Sequence, residues 1–592
     1  MFNNNTLSVL GRQWQQESIN ERDSLTLQQK HDLLPLLSEI ILRRKISVED
    51  AETYLEPTIK NTLQDPSLLK DMDKAVERVL KAIKNKENIL IYADYDVDGA
   101  TSSALIRKFF KEIGIDTGLY IPDRIEEGYG ANIDAMQSIK DQNYNLVIMC
   151  DCGTTAFEPL AHAKKIGLDV IVLDHHTTEP NLPECIALVN PHRLDQDDHV
   201  KNNFGLLCAA GVAFCFLAAL NRIRKQQKHD VIPNLIDYLD LVALGTVCDV
   251  MPLKGINRAI VSQGLKLMQR QKNIGLSALM QVSGVYDTPS SYHLGFFLGP
   301  RINAGGRVGK ADMGSKLLTT DDPLTAKRLA EQLHHFNEER KTVEAIMLAQ
   351  AYIKIEDEKL YEDPVIVISE NDWHPGVIGI AASRIKEKYN KPTIVIAFEG
   401  AEGKGSGRSV PGVDLGPAMH DAVHKNILLK GGGHAMAVGL SIKKDRLDDF
   451  RAFLIDRFAE DVQNYQPISK VDGVLSISGV HIDLAKSLLL LEPFGQGNTT
   501  PKFVLENVRP AFVMPVGDGH FRVTLEDKGG NTLEAMAFRV RNTPLEAVLI
   551  NTQNNLHVLG SVKYDVWNNR EKASFFIDDV MVNINEKLTN FG

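Results

Sequence analysis

The sequence predicts an α/β protein in which two α/β domains, joined by a long helix, are followed by a small β-barrel. Short apolar runs alternate with helical periodicity from about residue 71 to 255 and again from about 356 to 460, which is typical of a mostly parallel sheet covered by helices. A continuous helical pattern, residues 326–353, lies between these regions. After about residue 461 the apolar runs become short and turn-bounded, as in a barrel.

Length and composition limit the class of protein. A chain of 592 residues is too long for one hydrophobic core, and its 43% hydrophobic and 24% charged content excludes disordered and fibrous classes. The net charge of −11 argues against nonspecific coating of nucleic acid, so a polyanion would need a local basic patch. Six cysteines without paired zinc spacing, and an N-terminus without signal-peptide features, favour a reduced, cytoplasmic chain.

We divide the chain into five predicted regions. They are a helical N-terminal segment (1–70), a catalytic α/β domain (71–255), a connecting helical region (256–355), a substrate-binding α/β domain (356–460) and the barrel (461–592). The longest apolar run, 205–220, is shorter than the ~20 residues of a membrane span, and we interpret it as a buried helix.

In the first α/β domain, helices are predicted at residues 72–85, 100–113, 133–139 and 156–166. Strands are predicted at 89–93, near Leu119, at 146–150 and at 170–173. A later apolar helix, within 235–250, is expected to stop at Gly245 and Thr246 and so to present Asp249, with Asp237 and Asp240 as alternatives.

Acidic and histidine side chains follow three of the predicted strands. They are Asp94, Asp96 and Asp98; then Asp151; then Asp174, His175 and His176. Because ligands of open α/β sheets bind beyond the carboxyl ends of the strands, we expect these groups to converge. Crowded carboxylates repel one another unless a cation compensates them, which predicts a metal site. A calcium loop of the EF-hand type is disfavoured because its twelfth position is Leu105 and a strand precedes it.

The predicted ligands indicate the kind of metal. Carboxylate oxygens suit Mg²⁺ or Mn²⁺, and imidazole favours Mn²⁺. Two ions bridged by a shared carboxylate would form the usual clamp for phosphoryl displacement. Since adjacent residues of an extended segment face opposite ways, one of His175 and His176 should bind metal and the other should approach the substrate.

The second half of the chain contains glycine-rich segments with basic residues. Residues 299–307 predict a glycine-rich loop in which two arginines could contact phosphate, although an ordinary surface turn is an alternative. Beyond strands at 365–369 and 393–398 and a helix through 384–388, residues 403–409 and 431–434 predict a backbone nest for phosphate formed with Ser406, Arg408 and His434. The glycine spacing here lacks the further features of a dinucleotide loop.

The C-terminal region predicts about five strands with interspersed aromatic residues. The runs are 501–508, 509–514, 521–525, 533–538, 556–564 and 574–582. This pattern of short strands is typical of a barrel of OB type, a fold that binds single-stranded nucleic acid. The predicted barrel therefore favours a long substrate over a small one. Because aromatic residues in strands usually form the core, the sequence identifies none of them as a base contact.

Seven motifs together resemble the DHH phosphoesterase superfamily, and most of the chain resembles its bacterial branch of exonucleases for single-stranded DNA. The motifs are DYDVDG (94–99), IPDRIEEGYG (121–130), DCGTT (151–155), DHH (174–176), GPRINAGGR (299–307), SGRS (406–409) and GGGHAMAVG (431–439). The resemblance implies a DHH domain followed by a DHHA1 domain. Tyr92 stands where phosphatases of the superfamily have a metal-binding His.

By this resemblance the metal ligands are Asp96, Asp98, Asp151, His175 and Asp249. Asp151 would bridge two Mn²⁺ or Mg²⁺ ions, His176 would lie beside the scissile phosphate, and Asp94 would either bind metal or support a ligand. The residues implied for substrate phosphates are Arg124, Arg301, Asn303, Arg307, Ser406, Arg408 and His434.

The resemblance implies hydrolysis of single-stranded DNA from its 5′ end to mononucleotides, in DNA repair and recombination. It also implies a single-strand-binding protein and a RecQ-type helicase as partners. Two alternatives remain open: a small-molecule phosphoesterase acting on pyrophosphate, oligoribonucleotides or cyclic dinucleotides, and a scaffold that keeps the fold without the chemistry. The complete acid and histidine set disfavours the scaffold.

Overall fold

The N-terminal segment forms one short strand and four helices: β1 (Gln13–Gln15), α1 (Glu21–His31), α2 (Pro35–Arg43), α3 (Ala51–Leu55) and α4 (Ile59–Thr62). The computed structural model describes residues 6–123, 127, 130–286, 288–464, 466–567 and 570–582. The predicted helical character of this segment is therefore correct apart from the added strand.

The first α/β domain contains α5 (Met72–Asn85), β2 (Ile89–Ala93), α6 (Val97–Glu112), β3 (Gly118–Tyr120), α7 (Ile133–Asp141), β4 (Leu146–Cys150), α8 (Phe157–Lys165), β5 (Asp169–Leu173) and β6 (Ala187–Val189). Its five strands are all parallel, in the order β3-β2-β4-β5-β6. The predicted parallel sheet is thus confirmed, and β2 and β4 have the predicted bounds because each is a short, fully buried apolar run.

Helix α6 begins three residues earlier than predicted, at Val97 rather than residue 100. The Asp96 side chain caps it by accepting the backbone N–H groups of Asp98 and Gly99 at 2.9 and 3.1 Å. The acidic motif therefore spans a strand end, a helix cap and a first helical turn. This placement fixes the relative positions of its three acids.

A group of helices covers this sheet and continues beyond it: α9 (Asp198–Phe204), α10 (Ala209–Gln226), α11 (Leu239–Cys248), α12 (Gly255–Met268) and α13 (Ile274–Val282). The apolar run 205–220 lies mostly in the buried helix α10, which starts later than predicted. Among the described residues no single helix has both the length and the hydropathy to cross a membrane, and α9 and α10 reach those values only as a pair with a 110° bend.

The predicted end of the helix before Asp249 is wrong. Helix α11 runs through Gly245 and Thr246 to Cys248, and Asp249 follows it directly. A side chain at position 245 would place its Cβ 2.8 Å from the Asp98 carboxylate. Gly245 therefore allows α11 to approach Asp98, one of the predicted metal ligands, closely, and it does not end the helix.

The expected glycine-rich loop at 299–307 is also wrong, because these residues form a helix. The segment contains α14 (Ser291–His293), a π-helical turn (Leu294–Leu298), α15 (Gly299–Val308) and α16 (Met313–Thr319). A Cβ on Gly306 would lie 3.1 Å from the carbonyl oxygen of Tyr95. The glycine content thus permits close packing of α15 on the acidic motif, a contact that sequence alone does not reveal.

The long helix α17 (Pro323–Asp357) contains 35 residues and joins the two α/β domains, as predicted. The second domain comprises β7 (Ile366–Asn371), α18 (Ile378–Tyr389), β8 (Thr393–Glu399), β9 (Glu402–Arg408), α19 (Leu415–His424), β10 (Lys430–His434), β11 (Ala437–Lys443) and α20 (Leu447–Asn464). Its sheet has the order β10-β11-β9-β8-β7, with only β7 and β8 parallel.

Residues 403–409 and 431–434 were predicted to form a backbone nest for phosphate. In the structure they lie in two strands, β9 and β10. Gly403, Gly405 and Gly407 alternate along β9, so they share one face of the sheet. A Cβ at any of them would lie within about 2.6 Å of a neighbouring side chain, such as Leu440 or Ile394. The glycines therefore make room for the core of this domain.

The C-terminal region contains β12 (Ile468–Lys470), β13 (Gly473–Leu475), α21 (Ile482–Leu488), β14 (Phe503–Val516), β15 (His520–Glu526), β16 (Thr532–Ala537), α22 (Pro544–Ile550), β17 (Leu556–Trp567) and β18 (Arg570–Val582). Strand β14 pairs with both β15 and β17, which closes the ring β14-β15-β16-β18-β17. This closed five-stranded barrel has the predicted OB type. Two predicted runs merge into β14, with a register shift between Pro510 and Phe512.

The first part of the N-terminal segment packs on the barrel, whereas Ile59 of α4 belongs to the hydrophobic core of the domain that follows. Strand β1 pairs in parallel with β12. Leu27, Leu37 and Ile40 share a hydrophobic core with barrel residues such as Phe503 and Phe575. The domain boundaries given above remain predictions.

The six cysteines are all free, in agreement with the predicted reduced chain. A cytoplasmic location remains a prediction.

Candidate metal centre and substrate cavity

Three clusters of ligand atoms form at the carboxyl edge of the first sheet. In each cluster the ligand atoms lie within 4.8 Å of one another. The clusters are Asp94, Asp96 and Asp151; Asp98, His175 and Asp249; and Asp151, His175 and His176. All the residues predicted as metal ligands, together with Asp94 and His176, are thus brought together from strand and helix ends that are far apart in sequence.

His175 lies at the centre of this arrangement. Its Nε2 atom is 3.3 Å from Asp151 Oδ1, 3.6 Å from Asp249 Oδ2 and 3.8 Å from Asp98 Oδ2. Within the described part of the chain this buried nitrogen makes no hydrogen bond. A buried polar atom facing three carboxylates without a hydrogen bond fits a shared divalent cation, and so does the mixture of oxygen and imidazole donors.

The electrostatics of the carboxylates favour the same conclusion. Burial, reinforced by repulsion from neighbouring acids, raises the pKa of Asp151 well above its ordinary value. Burial also raises the pKa of Asp98, and burial together with Asp98 and Asp96 raises the pKa of Asp249 to about 8. A bound divalent cation would lower the pKa of each of these carboxyl groups, because it would stabilise the ionised form.

Asp98 has a second source of stabilisation in the protein itself. Its carboxylate accepts the backbone N–H groups of Ala209 and Ala210, at 2.6 and 2.9 Å. These groups belong to the N-terminus of α10, where the partial positive charge of a helix favours an anion. Helix α10 therefore orients one ligand of the cluster.

His176 is held by Asp174, which the sequence analysis expected among the converging side chains but gave no role of its own. The buried Asp174 carboxylate lies 2.7 Å from His176 Nδ1 and accepts the backbone N–H groups of Thr154 and His175 at 3.0 and 2.7 Å. Although burial opposes it, the hydrogen bond to Asp174 raises the pKa of His176 to about 9. The Asp174 carboxylate thus fixes the His176 ring beside the clusters.

Asn190 supports the same loop and was missed. Its Nδ2 donates to the Thr154 hydroxyl and to the His176 carbonyl oxygen, both at 2.9 Å. Asn190 follows β6, as Asp174 follows β5. A polar residue directly after a strand, the signal that did identify Asp174, could therefore have identified Asn190 as well.

Tyr92, at the place of the phosphatase histidine, points away from the metal clusters. Its hydroxyl donates to the Gly130 carbonyl oxygen at 3.0 Å, and its ring stacks on Tyr120 at 5.2 Å. Burial raises its pKa, which keeps the hydroxyl protonated. In the first cluster, Asp94 provides the third ligand atom beside Asp96 and Asp151.

A cavity of about 830 Å³ lies between the acidic motif and the second α/β domain. Its basic and polar lining includes Arg307, Lys404, Ser406, Arg408 and Lys430, and Tyr95 lines its edge beside the metal clusters. Arg408 donates to the Ser406 hydroxyl at 3.1 Å, and burial lowers its pKa. Among the described salt bridges Arg408 has no carboxylate partner, so its charge is available to an anion.

Three further residues that were predicted to contact phosphate lie in α15, in different environments. Arg307 lines the cavity and donates to the Gly376 carbonyl oxygen, and Asn303 accepts the N–H of Val97 at 3.1 Å. Arg301 is buried in α15 and donates to the Phe297 carbonyl oxygen. Its expected place in an open loop is therefore wrong.

His434 is exposed at the end of β10 and is not among the residues that line the cavity, so its contact with phosphate stays a prediction. Arg124 lies outside the described residues. Lys404 and Lys430, which sequence reasoning missed, take part in the lining. Their signal was a position beside the predicted glycine motifs.

Family models match three parts of the chain. The DHH family N-terminal domain matches residues 88–246, the DHHA1 domain matches 362–460 and the RecJ OB domain matches 471–579. The single-stranded-DNA-specific exonuclease RecJ of Bacillus subtilis is 30% identical over 96% of this chain and 71% of its own length. RecJ of Salmonella typhimurium is 34% identical over 89% of this chain and 93% of its own length.

The chain belongs to the RecJ family. The crystal structure of Thermus thermophilus RecJ with Mn²⁺ superposes with a TM-score of 0.80 at 27% identity, covering 96% of this chain and 79% of that one. The same RecJ has also been solved with Mg²⁺, and that structure gives a TM-score of 0.74 at 26% identity over 96% of this chain and 78% of that one. The RecJ fold thus extends over the DHH domain, the DHHA1 domain and the barrel.

Proposed function

We propose that this chain is a metal-dependent exonuclease that hydrolyses single-stranded DNA from its 5′ end to mononucleotides, in DNA repair and recombination. The observation that carries the proposal is the meeting of the carboxylate and imidazole clusters with a basic cavity, in a member of the RecJ family. RecJ relatives along nearly the whole chain are named single-stranded-DNA-specific exonucleases.

Two Mn²⁺ or Mg²⁺ ions are the proposed cofactors. Asp94, Asp96 and Asp151 would hold one ion. Asp98, His175 and Asp249 would hold the other with Asp151, whose Oδ1 is close to His175. When bound, such ions lower the pKa of water and stabilise the charge that develops on the phosphate.

His176 has a separate role in the proposed mechanism. The Asp174 carboxylate holds Nδ1, so the orientation of the ring is fixed before substrate binds. In the metal-free protein the hydrogen bond to Asp174 raises the pKa of His176 to about 9, which favours a protonated ring that could face a phosphate oxygen beside the clusters. Asn190 and Thr154 keep this loop in place.

The basic cavity supports cleavage from a strand end. Arg408 and Ser406, with Lys404 and Lys430, offer charge and hydrogen-bond donors suited to a terminal phosphate. A phosphate bound there would place the first phosphodiester toward the acidic motif, because Tyr95 lines the same cavity. The 5′ polarity of the proposal rests on this arrangement and on the resemblance described above.

One incubation separates this function from a small-molecule phosphoesterase. The protein with Mn²⁺ is given either single-stranded DNA labelled at its 3′ end or a cyclic dinucleotide. We expect progressive shortening of the DNA from its 5′ end, with mononucleotide products. Hydrolysis of the cyclic dinucleotide alone would reject the proposal. The attached barrel of OB type favours the long substrate.

We also propose, from the resemblance, that a single-strand-binding protein and a RecQ-type helicase deliver the substrate in the cytoplasm. Co-purification of each purified partner with this chain, in the absence of DNA, tests direct contact. Lack of binding in both cases would reject this part of the proposal without affecting the hydrolytic function.

A further inference from the structure

A second cavity, of about 560 Å³, adjoins the first one. The two cavities share four lining residues, Phe296, Arg307, Ile380 and Arg384, so they form one continuous groove. The second cavity reaches from Asn303, which contacts the acidic motif through Val97, to Arg539 of the barrel. It therefore spans the space between the metal clusters and the barrel.

Two exposed aromatic residues form one wall of this second cavity. Tyr292 is 59% exposed and Phe296 is 67% exposed, and their ring centroids lie 4.8 Å apart. They belong to α14 and to the π-helical turn after it, four positions apart, so both project from one side of the segment. We call Tyr292 and Phe296 the aromatic ledge. Two such exposed neighbouring rings are not explained by packing of the core.

The charge around the aromatic ledge is net positive. The lining of the second cavity contains five cationic residues and one acid: Arg307, Arg340, Lys341, Arg384 and Arg539, with Glu344. Glu344 pairs with Arg340 at 2.7 Å, Glu338 with Lys341 at 2.8 Å and Glu387 with Arg384 at 3.2 Å, so the five cations exceed these three acids by two charges. In a chain with a net charge of −11, this is a local basic patch of the kind that a polyanion requires.

Exposed rings beside cations suit a single nucleic-acid strand, whose bases can stack while its phosphates meet the charges. The bases of a duplex are paired and stacked internally, so their faces are not available to the ledge. We propose that the aromatic ledge stacks bases of single-stranded DNA in the stretch between the cleaved end and the barrel. This inference rests on the proposed function and adds a substrate subsite to it.

The contribution of this subsite to substrate binding should depend on the length of the DNA strand. A strand whose 5′ end lies in the first cavity must pass the second cavity to reach the barrel. A long strand therefore gains stacking energy at both rings of the ledge, whereas a trinucleotide in the first cavity meets only Phe296 and gains less. The ledge should contribute to KM for long substrates and not to the chemical step, since neither ring touches the metal clusters.

The test uses the full-length protein with Mn²⁺ and two substrates, a 5′-phosphorylated 20-mer and a 5′-phosphorylated trinucleotide. The variant Tyr292→Leu/Phe296→Leu keeps apolar volume and removes both rings. We expect its KM for the 20-mer to rise about tenfold or more, with a much smaller change for the trinucleotide. Tyr292→Phe should retain the wild-type KM, because it keeps the ring.

Tyr286→Leu is the matched control. Tyr286 is 77% exposed, lies in the same stretch of chain and is not among the lining residues of either cavity. We expect no change in KM for either substrate with this variant. An equal rise in KM for Tyr286→Leu and the ledge variant would overturn the inference, because it would reflect a general loss of surface aromatics.

A binding measurement gives a second readout. A phosphorothioate 20-mer carrying 2-aminopurine at successive positions is titrated with each protein, since stacking on an aromatic ring quenches this base. With wild-type protein we expect the fluorescence of 2-aminopurine to be quenched at a few positions near the 5′ end. With the ledge variant we expect less quenching at these positions. If wild-type protein hydrolyses the 20-mer but the ledge variant has unchanged KM and quenching, the inference is wrong. If wild-type protein hydrolyses no DNA, the proposed function itself fails.

Discussion

His176 Nδ1 and the Asp174 carboxylate lie 2.7 Å apart, at the end of the strand that also provides the metal-binding candidate His175. The two adjacent histidines therefore differ in environment. His175 Nε2 faces three carboxylates, whereas the His176 ring is turned toward Asp174. That one histidine binds metal and the other approaches the substrate stays a prediction, which this difference in environment supports.

Asp174→Asn should lower kcat about 100-fold or more while leaving KM nearly unchanged. An amide cannot hold the imidazolium as the carboxylate does, so both the charge and the orientation of His176 are lost. Steady-state kinetics on a 5′-phosphorylated oligonucleotide measure the effect. Asp195→Asn, which changes an acid paired with Arg193 at the surface, is the control and should behave as wild type. A KM effect without a kcat effect would contradict the positioning role.

Asp151→Asn should abolish turnover and yet stabilise the metal-free protein by about 1–3 kcal/mol. A carboxyl whose pKa is raised on folding destabilises the folded state at any pH above its unfolded value, and Asp151 is such a group. Asparagine also tolerates the positive φ of 62° at this position. Denaturant unfolding with a chelator at pH 7.5 measures the free energy. If the variant had a lower free energy of unfolding than the wild type, repulsion between Asp151 and the neighbouring acids would not be a destabilising factor.

Asp151→Ala should likewise lose turnover while keeping the fold, although without the stabilisation, because alanine is strained at this φ. Circular dichroism and kcat are the measurements. Unchanged activity in this variant would reject the bridging role of Asp151.

Mn²⁺ should stabilise the chelator-treated wild-type protein. At free Mn²⁺ a hundredfold above its Kd, binding to the folded state adds about 2.7 kcal/mol to the free energy of unfolding. Thermal unfolding at increasing Mn²⁺ measures the shift in Tm. Asp98→Asn and His175→Ala should reduce that shift, whereas His434→Ala, at the exposed end of β10, should retain it. An equal shift in all variants would place the metal elsewhere.

Arg408→Gln should remove the preference for a 5′-phosphate. Its guanidinium lines the first cavity without a carboxylate partner among the described salt bridges, so its charge is available to a terminal phosphate. We expect the ratio of kcat/KM for 5′-phosphorylated over 5′-hydroxyl DNA to fall about 10- to 100-fold. Arg446→Gln, which changes an arginine paired with Asp449 in the same domain, should leave the ratio unchanged. A similar fall in both variants would contradict the structure.

Arg258→Ala should weaken the docking of α12 on the N-terminal segment and on the C-terminal region that contains the barrel. The buried Arg258 guanidinium donates to the carbonyl oxygens of Tyr54 and Glu492 at 2.8 and 2.7 Å and lies over the Tyr54 ring at 4.0 Å. Its loss leaves buried carbonyl groups without donors, and we expect a cost of about 3 kcal/mol in unfolding free energy. Arg258→Lys should recover only part of it, because lysine lacks the planar fork. If Arg258→Lys recovered the full unfolding free energy, the positive charge alone would explain the contribution of Arg258.

Local patterns in the sequence were sufficient for much of the fold. Strands β2 and β4 could be predicted residue by residue because each is a short apolar run bounded by polar residues. The rule that ligands lie beyond strand ends then placed Asp98, Asp151 and His175 at one edge of a sheet. These predictions succeed because hydrophobic periodicity and strand polarity are properties of neighbouring residues.

Tertiary structure alone decided the features that depend on close approach between distant segments. The glycines of α15 and β9 look like those of loops, but they are selected by contacts with Tyr95 and Leu440, which lie far away in the sequence. The same holds for the burial of Arg301 and for the meeting of Tyr292 with a basic groove that includes Arg539. Whether a glycine bends the chain or admits a neighbour, and whether an arginine faces solvent or core, depends on which surfaces pack together.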